Sequence, residues 1–417
     1  MIETRSKRQY LLLLVTILLV STIGSIFCDF HLATFNQIAL DLNQYGLSTD
    51  SAYNLAQLTM PAFLIAYAIG GFLTGPLADQ LPKHRLIYTG LTITIVASSL
   101  SALSQNLTTL LVCRGFQGLG TAMAAITIRS MFTFLFADSQ LKKVSDLFSI
   151  LAPVLFTITP ALGTYIFGQL HSWRALFWLM ALYAIAVTLL TIACQRFLPK
   201  KPIQCSTPFF KRFAQDTKTI LLHPDYLINL SIFCLTMFMV MAILVQMDQL
   251  FTIHLDLNKN QFALIQLALG ACWFLSAALN QWLLHYMNRS AVVTIGCSIS
   301  LCSFGLLSLS LVDSTASFLA IFGPLALFNF SMTLIFTNTF LKCIQPFKKE
   351  SGTANAIMNL CQYSIPGLGT VIVTWFNESQ NAPQWPLCLL GIPLMLLTFC
   401  ISVYSYQRSK KTSFLPS

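Results

Sequence analysis

Charge is what this chain has least of. Only 9% of its 417 residues are Asp, Glu, Lys or Arg, where an ordinary soluble domain carries about 25%. Hydrophobic residues make up 56% and mean hydropathy is +0.71. So few charges cannot coat a water-facing surface, and most side chains must have lipid as their solvent. Acidic residues are the scarcest, 14 against 24 basic, for a net charge of +10. That excess does not point to nucleic acid, because the basic residues sit in short clusters between apolar runs and form no continuous basic face. The twelve cysteines include no Cys-x-x-Cys pair, and nearly all lie in apolar runs as packing residues, so neither a metal site nor a disulfide framework is expected. There is no Gly-x-x-x-x-Gly-Lys loop, which disfavours direct use of ATP. No nucleophile–His–acid set and no His-rich cluster falls at membrane depth, so the chain reads as no enzyme and needs no cofactor.

What the chain has is long apolar runs. The pattern predicts an all-α membrane protein with twelve spans, near 10–36, 54–78, 86–104, 107–128, 145–169, 175–195, 226–247, 262–284, 291–312, 316–339, 352–375 and 386–406. The first run follows Arg5, Lys7 and Arg8 but lacks a small-residue cleavage site, which marks a retained helix rather than a signal peptide. With the N-terminus cytoplasmic, all but three of the 24 Lys and Arg fall in inner segments. The exceptions are Arg174 and Lys259 in outer loops and Arg114 inside a span. This imbalance predicts both termini inside. The polar stretch 196–225 separates an N-terminal six-span half, 1–195, from a C-terminal one, 226–417. Its three prolines before Lys211 and its six basic residues suit a cytoplasmic linker lying on anionic headgroups. Two pseudo-symmetric six-helix bundles with a midplane site form a known transporter plan.

Arg114, in Arg114-Gly-Phe-Gln117-Gly118-Leu-Gly120, is the chain's clearest candidate. A cation at membrane depth costs about 3 kcal/mol on insertion scales and must face a partner or a watery cavity. Gln117 lies one turn away on the same helical face, placed to orient the guanidinium or contact a substrate. Asp29 is its possible partner. Both residues lie roughly 10 Å from the outer ends of their spans if each helix is regular, at about 1.5 Å per residue. Burial opposes ionisation of a carboxyl and a guanidinium within a few Å favours it, so a group between those pulls can take up and release a proton. The alternative is an outer-edge Asp29 that is solvated or capping. His31 points away from Asp29's face in a regular helix and reads as a headgroup or hydrogen-bonded histidine.

Other polar candidates for a substrate cavity are neutral: Asn36, Asn229, Gln246, Asn329, Asn359 and Gln362. Asp248 reads as interfacial, leaving the second half with no clear buried acid. Met237, Met239, Met241 and Met247, like many of the 33 phenylalanines, read mainly as lipid-facing bulk, though such surfaces also adapt to apolar ligands. Pro153, Pro160 and Gly163 predict a bend in span 5. After span 2, Gly75 permits close helix contact, Asp79 stands ready to cap or pair at a helix end, and Lys83 and Arg85 hold the loop at the headgroups.

These motifs carry a resemblance. Gly75-Pro-Leu-Ala-Asp79-Gln80-Leu-Pro82-Lys83-His84-Arg85 is similar to the loop signature of the major facilitator superfamily. Pro160-Ala-Leu-Gly163-Thr164 is similar to the span-5 signature of its Bcr/CflA-type drug:proton antiporters. His171-Ser-Trp173-Arg174 and Ser351-Gly352-Thr-Ala354 resemble the superfamily's entries to spans 6 and 11. Gln80 and Pro82 depart from the usual basic residue and glycine, Thr164 from a second glycine, and the prolines that follow the span-1 acid are missing.

The resemblance implies a gating role for the Asp79 loop, a cavity lined by spans 1 and 4, and proton handling by Asp29. It also implies a multi-pass protein of the bacterial inner membrane. The function expected is proton-coupled export of a small organic molecule (a drug, metabolite or siderophore) by a monomer whose partners are substrate, protons and lipid. A nutrient importer and a non-transporting sensor stay open as alternatives.

Overall fold

The computed structural model describes residues 7–43, 46, 48–131, 154–155, 157–195, 209–311, 318–347, 351–376 and 384–412. Secondary structure there is helical throughout, as lipid demands: with no water to receive backbone N–H and C=O groups, an apolar run must satisfy them within itself. Eleven of the described helices are long and apolar enough to cross a membrane. The expected fifth span, 145–169, is described only at 154–155 and from 157 onward, where it is helical to residue 170.

The chain divides into two compact units, Met1–Arg212 and Phe213–Ser417. The first contains α1 (Lys7–Asp29), α2 (Phe35–Leu42), α3 (Thr49–Gln57), α4 (Thr59–Gln80), α5 (Lys83–Ala102), α6 (Leu107–Arg129), the run 157–170, and α7 (Trp173–Ala193). Here α6 packs against α1, α4 and α5, while α7 packs against α5. Glycine makes this possible. A methyl on Gly120 would stand 2.7 Å from the Gly90 carbonyl oxygen, and one on Gly118 would collide with the Phe63 carbonyl.

The boundary falls within α8 (Phe209–Leu221), so the stretch expected as linker carries a helix; its residues 196–208 lie outside the described residues. Helix α9 (Pro224–Asp248) opens with proline at its first position, where no backbone donor is needed. Then follow α10 (Lys259–Tyr286), α11 (Arg289–Leu309), α12 (Phe318–Ile344), α13 (Ser351–Phe376) and α14 (Trp385–Thr412). Asparagines start three of the helices: Asn106, Asn258 and Asn288 accept from Thr109, Gln261 and Ala291 backbone N–H at 2.7, 2.9 and 2.9 Å.

Three expectations fail here. Span 1 is not one helix to Asn36: α1 ends at Asp29, a turn and a 3-10 stretch Leu32–Thr34 follow, and α2 resumes at Phe35. Span 2 is likewise interrupted at Leu58, between α3 and α4. The methionines of α9 are not lipid-facing bulk either. Met237, Met239, Met241 and Met247 are all buried.

Candidate functional site

Arg114 lies two turns into α6 and is fully buried. Its guanidinium bonds to both helix breaks. Nη1 donates to the Phe27 carbonyl at 3.0 Å, near the end of α1, and Nε donates to the Thr59 carbonyl at 3.2 Å, where α4 begins. The last carbonyls of α1 lack intrahelical donors, and the partial negative charge gathered at that end attracts a cation, whereas Thr59 offers its carbonyl from the first turn of α4. Nη1 also donates to Gln117 Oε1. The Gln117 amide in turn donates to Ser98 Oγ at 2.7 Å and approaches Met180 Sδ at 3.6 Å. The Phe63 and Phe177 rings stand 4.6 and 5.9 Å from the guanidinium carbon. Gln117 thus bonds to Arg114 one turn away on the same helix; Thr59 and Ser98 had no signal in the sequence, being hydroxyl residues within apolar runs.

Asp29 is 2% exposed, and its Oδ1 has no hydrogen-bond partner. It forms no ion pair with Arg114 among the described residues. Arg114 Nη2 is also without a partner. His31 is fully buried beside this pair, not at the headgroups, because the end of α1 removes the helical geometry that turned it away. Its Nε2 meets Thr59 Oγ1 at 3.0 Å, and that hydroxyl already donates to the Ala56 carbonyl at 2.8 Å. Imidazole is therefore the donor, in its Nε2–H form, and ties the break in span 1 to the break in span 2. Pro160 and Gly163 lie on the 157–170 run, and a methyl on Gly163 would collide with the Phe30 carbonyl in the turn after Asp29. Pro153 lies outside the described residues.

The loop after α4 is anchored differently from expectation. Lys83 does not reach the headgroups: it is 5% exposed, and Nζ donates to Ser130 Oγ at 3.0 Å and to the Ser130 carbonyl at 3.3 Å, joining α5 to the end of α6. Arg85 is exposed. Gly75 and Asp79 belong to the last turns of α4, and the Asp79 side chain lies outside the described residues. At the other end of this unit, Trp173 Nε1 and Arg174 Nη1 both donate to Asp41 Oδ2, at 2.8 and 3.3 Å.

The family model of the Major Facilitator Superfamily matches residues 10–370. This chain belongs to that superfamily. As a transporter of this superfamily it is 22% identical to multidrug resistance protein MdtL of Escherichia coli over 366 residues, 87% of each chain. It is 24% identical to multidrug resistance protein D of Escherichia coli over 196 residues, 47% of each, so that match spans about half the relative's length. The match to the uncharacterized transporter YdgK of Bacillus subtilis also spans about half, at 48% of each chain. Among solved structures, the fold is shared with the POT family transporter PepTSo (TM-score 0.74, 13% identity, 97% of this chain and 99% of that one). It is shared too with a D-xylose-proton symporter (TM-score 0.69, 14% identity, 95% and 96%).

In the second unit of this superfamily transporter, two of the neutral candidates bond back to their own helices. Asn229 is buried and donates to the Asp225 carbonyl of its own helix at 2.6 Å, and Asn329 likewise to the Leu325 carbonyl at 2.9 Å. Asn359 and Gln362 are half-buried on α13, and Asn36 half-buried on α2 of the first unit. Gln246 is buried in α9. The second half does contain a buried acid, contrary to the reading of Asp248 as interfacial. A π-helical stretch, Gln249–His254, continues α9 past Asp248, whose side chain is 1% exposed. Lys259 Nζ pairs with its Oδ1 at 2.7 Å, and Thr252 donates to the same oxygen at 2.8 Å. Removing one partner of a fully buried pair costs about 3–5 kcal/mol, but the Lys259 side chain is 26% exposed, so the Coulomb part is screened. Lys259→Met should cost about 1–2 kcal/mol. Adding Asp248→Asn should restore most of it, read as thermal unfolding in detergent. A double variant no better than the single one would remove the pair as the cause.

Proposed function

We propose that this transporter exports a small organic molecule in exchange for protons by alternating access, with Asp29 as the proton-carrying carboxyl and Arg114 as the cation beside it. One observation carries the reading: the buried Asp29 has an oxygen without a partner, while Arg114 directs its bonds to Phe27, Thr59 and Gln117. A buried carboxylate with an unpartnered oxygen is costly, and it is relieved either by a proton or by a cationic or hydrogen-bonding ligand. Because no Asp29–Arg114 ion pair has to break first, proton and ligand can compete for one group. Substrate binding that expels the proton is the elementary step of antiport.

The names of MdtL and multidrug resistance protein D support an efflux direction, and the Pro160–Thr164 motif supports the Bcr/CflA-type branch. The distribution of Lys and Arg supports cytoplasmic termini, and the family resemblance favours a bacterial inner membrane. Within this reading Gln117, Asn36, Asn229, Asn329, Asn359 and Gln362 serve the substrate cavity. Gly75, Asp79, Lys83 and Arg85 form the gate, the span-5 residues Pro153, Pro160 and Gly163 shape the cavity wall, and the working unit is a monomer of two six-helix halves.

The test is proton release on adding cationic, neutral and anionic compounds to purified protein in weakly buffered detergent. Release with one compound class, lost in Asp29→Asn, is the expected result and names the substrate charge. Ligand binding with no proton released from the wild type would remove antiport and favour a uniporter or a sensor. Proton uptake on binding would favour a symporter.

A further inference from the structure

In the second unit, two bonds tie the start of α11 to the last turns of α12. Arg289 Nη1, on the first residue of α11, donates to Asn338 Oδ1 of α12 at 3.2 Å. One turn further along α12, Lys342 Nζ donates to Ser290 Oγ of α11 at 2.7 Å and to Ser405 Oγ of α14 at 3.2 Å. The two cations therefore stand on adjacent rungs between the same two helices. Neutral groups alone hold them: among the described residues neither forms an ion pair, and Asp225 of α9, an acid at this end of the unit, pairs with Arg408 at 3.2 Å instead. Ser290 and Ser405 are 4% and 8% exposed. An ammonium can only donate, so each serine oxygen accepts from Lys342, and its own hydroxyl proton has no acceptor among the described residues. The third ammonium proton is likewise unused. Lys342 and Arg289 are both half-buried, so these donors can be reached. In the last turns of α10, just before Arg289, the exposed rings of Trp282 and Tyr286 meet at 5.2 Å. Such amphipathic rings mark the level of the lipid headgroups.

We propose that Lys342, Ser290 and Ser405, with Arg289 on the next rung, bind the phosphate of an anionic phospholipid headgroup. A phosphodiester brings negative charge and acceptor oxygens but no donor. That complements two cations without carboxylates and three protons without acceptors, all clustered on one ammonium and its two hydroxyls. The start of α11 adds the positive end of a helix dipole at the same place. A free anion shares this chemistry, but the aromatic pair puts the site at headgroup depth, where a basic pocket between membrane helices meets lipid phosphate. The bound lipid ties α11, α12 and α14 at one end and takes no part in the proton chemistry of Asp29.

The test uses the full chain, delipidated in an uncharged detergent, with dioleoylphosphatidylglycerol as the probe and native mass spectrometry to count bound lipid. The wild type should retain one tightly bound lipid per chain. Lys342→Gln should raise its Kd at least about tenfold, as the loss of a hydrogen bond between charged groups implies. Ser405→Ala, a small change near the end of α14 that spares the fold, should raise it about fivefold. Lys218→Gln removes an exposed charge from α8 and should leave Kd unchanged. Equal losses in Lys218→Gln and Lys342→Gln would reduce the effect to general attraction and overturn the site. So would wild-type affinity in both Lys342→Gln and Ser405→Ala. Inorganic phosphate that displaces the lipid at equal concentration and constant ionic strength would overturn the lipid as occupant and leave a free-phosphate site.

Discussion

Arg114→Ala should lose transport by more than about a hundredfold while leaving the protein folded. The stability balance is nearly even: a cation at membrane depth costs about 3 kcal/mol, and hydrogen bonds between membrane helices return about 0.6–2 kcal/mol each. Arg114 makes three, to Phe27, Thr59 and Gln117, so its removal deletes a cost and a gain of similar size. The functional balance is not even. Losing two charge-assisted bonds that hold the ends of α1 and α4 forfeits about 3–6 kcal/mol of positioning in a working state, and each 1.4 kcal/mol is a tenfold change. Arg114→Lys separates charge from shape. Lysine keeps the cation but is a point donor that cannot span two carbonyls and an amide in one plane. It should unfold near the wild-type temperature yet recover little transport. Proteoliposome transport and thermal unfolding in detergent, measured on both variants, decide the matter. Near-normal transport in Arg114→Ala would make this residue a dispensable helix tie, whereas a large loss of stability would make its role structural.

The parts of the site legible in the sequence are those governed by cost and by regular spacing. A guanidinium within an apolar run is conspicuous because it is expensive, and Gln117 followed from one turn of helix. Charge asymmetry and run length predicted spans throughout, and helices fill the described residues accordingly. What escaped was irregular backbone. Residues 29–34 contain neither proline nor glycine, so nothing in Asp-Phe-His-Leu-Ala-Thr announces that α1 stops there. Arg114, far away in sequence, bonds at the break, and a straight-helix reading could not place His31 there, although a hydrogen-bonded histidine is what it is. The same limitation hid Asp248. It seemed to stand at a span's end because the π-helical continuation to His254 has no distinctive composition. Lys83 was read as a headgroup charge because a lysine buried against Ser130 looks, in sequence, like any loop lysine.

Gly163→Val should be the most damaging change outside the charged residues, with a loss of about 3 kcal/mol and of transport together, the upper end of what overpacking costs. The first atom a Cβ meets there is the Phe30 carbonyl oxygen, closer than any real contact. Backbone cannot swing aside as a flexible side chain does, so either the 157–170 run or the turn after α1 must shift. Phe30 directly follows Asp29, and a shift of that turn moves the carboxyl relative to Arg114. Even Gly163→Ala should therefore impair transport, although alanine is favoured over glycine in a helix by about 0.5–1 kcal/mol. Gly115→Ala supplies the control. It adjoins Arg114, a methyl there meets nothing within 4 Å, and it should be neutral or slightly stabilising. Comparing unfolding temperature and transport in the three variants separates steric position from helix propensity. Wild-type behaviour in Gly163→Val would mean that the turn carrying Asp29 has room to move, and the carboxyl's placement would then rest on Arg114 and His31 alone.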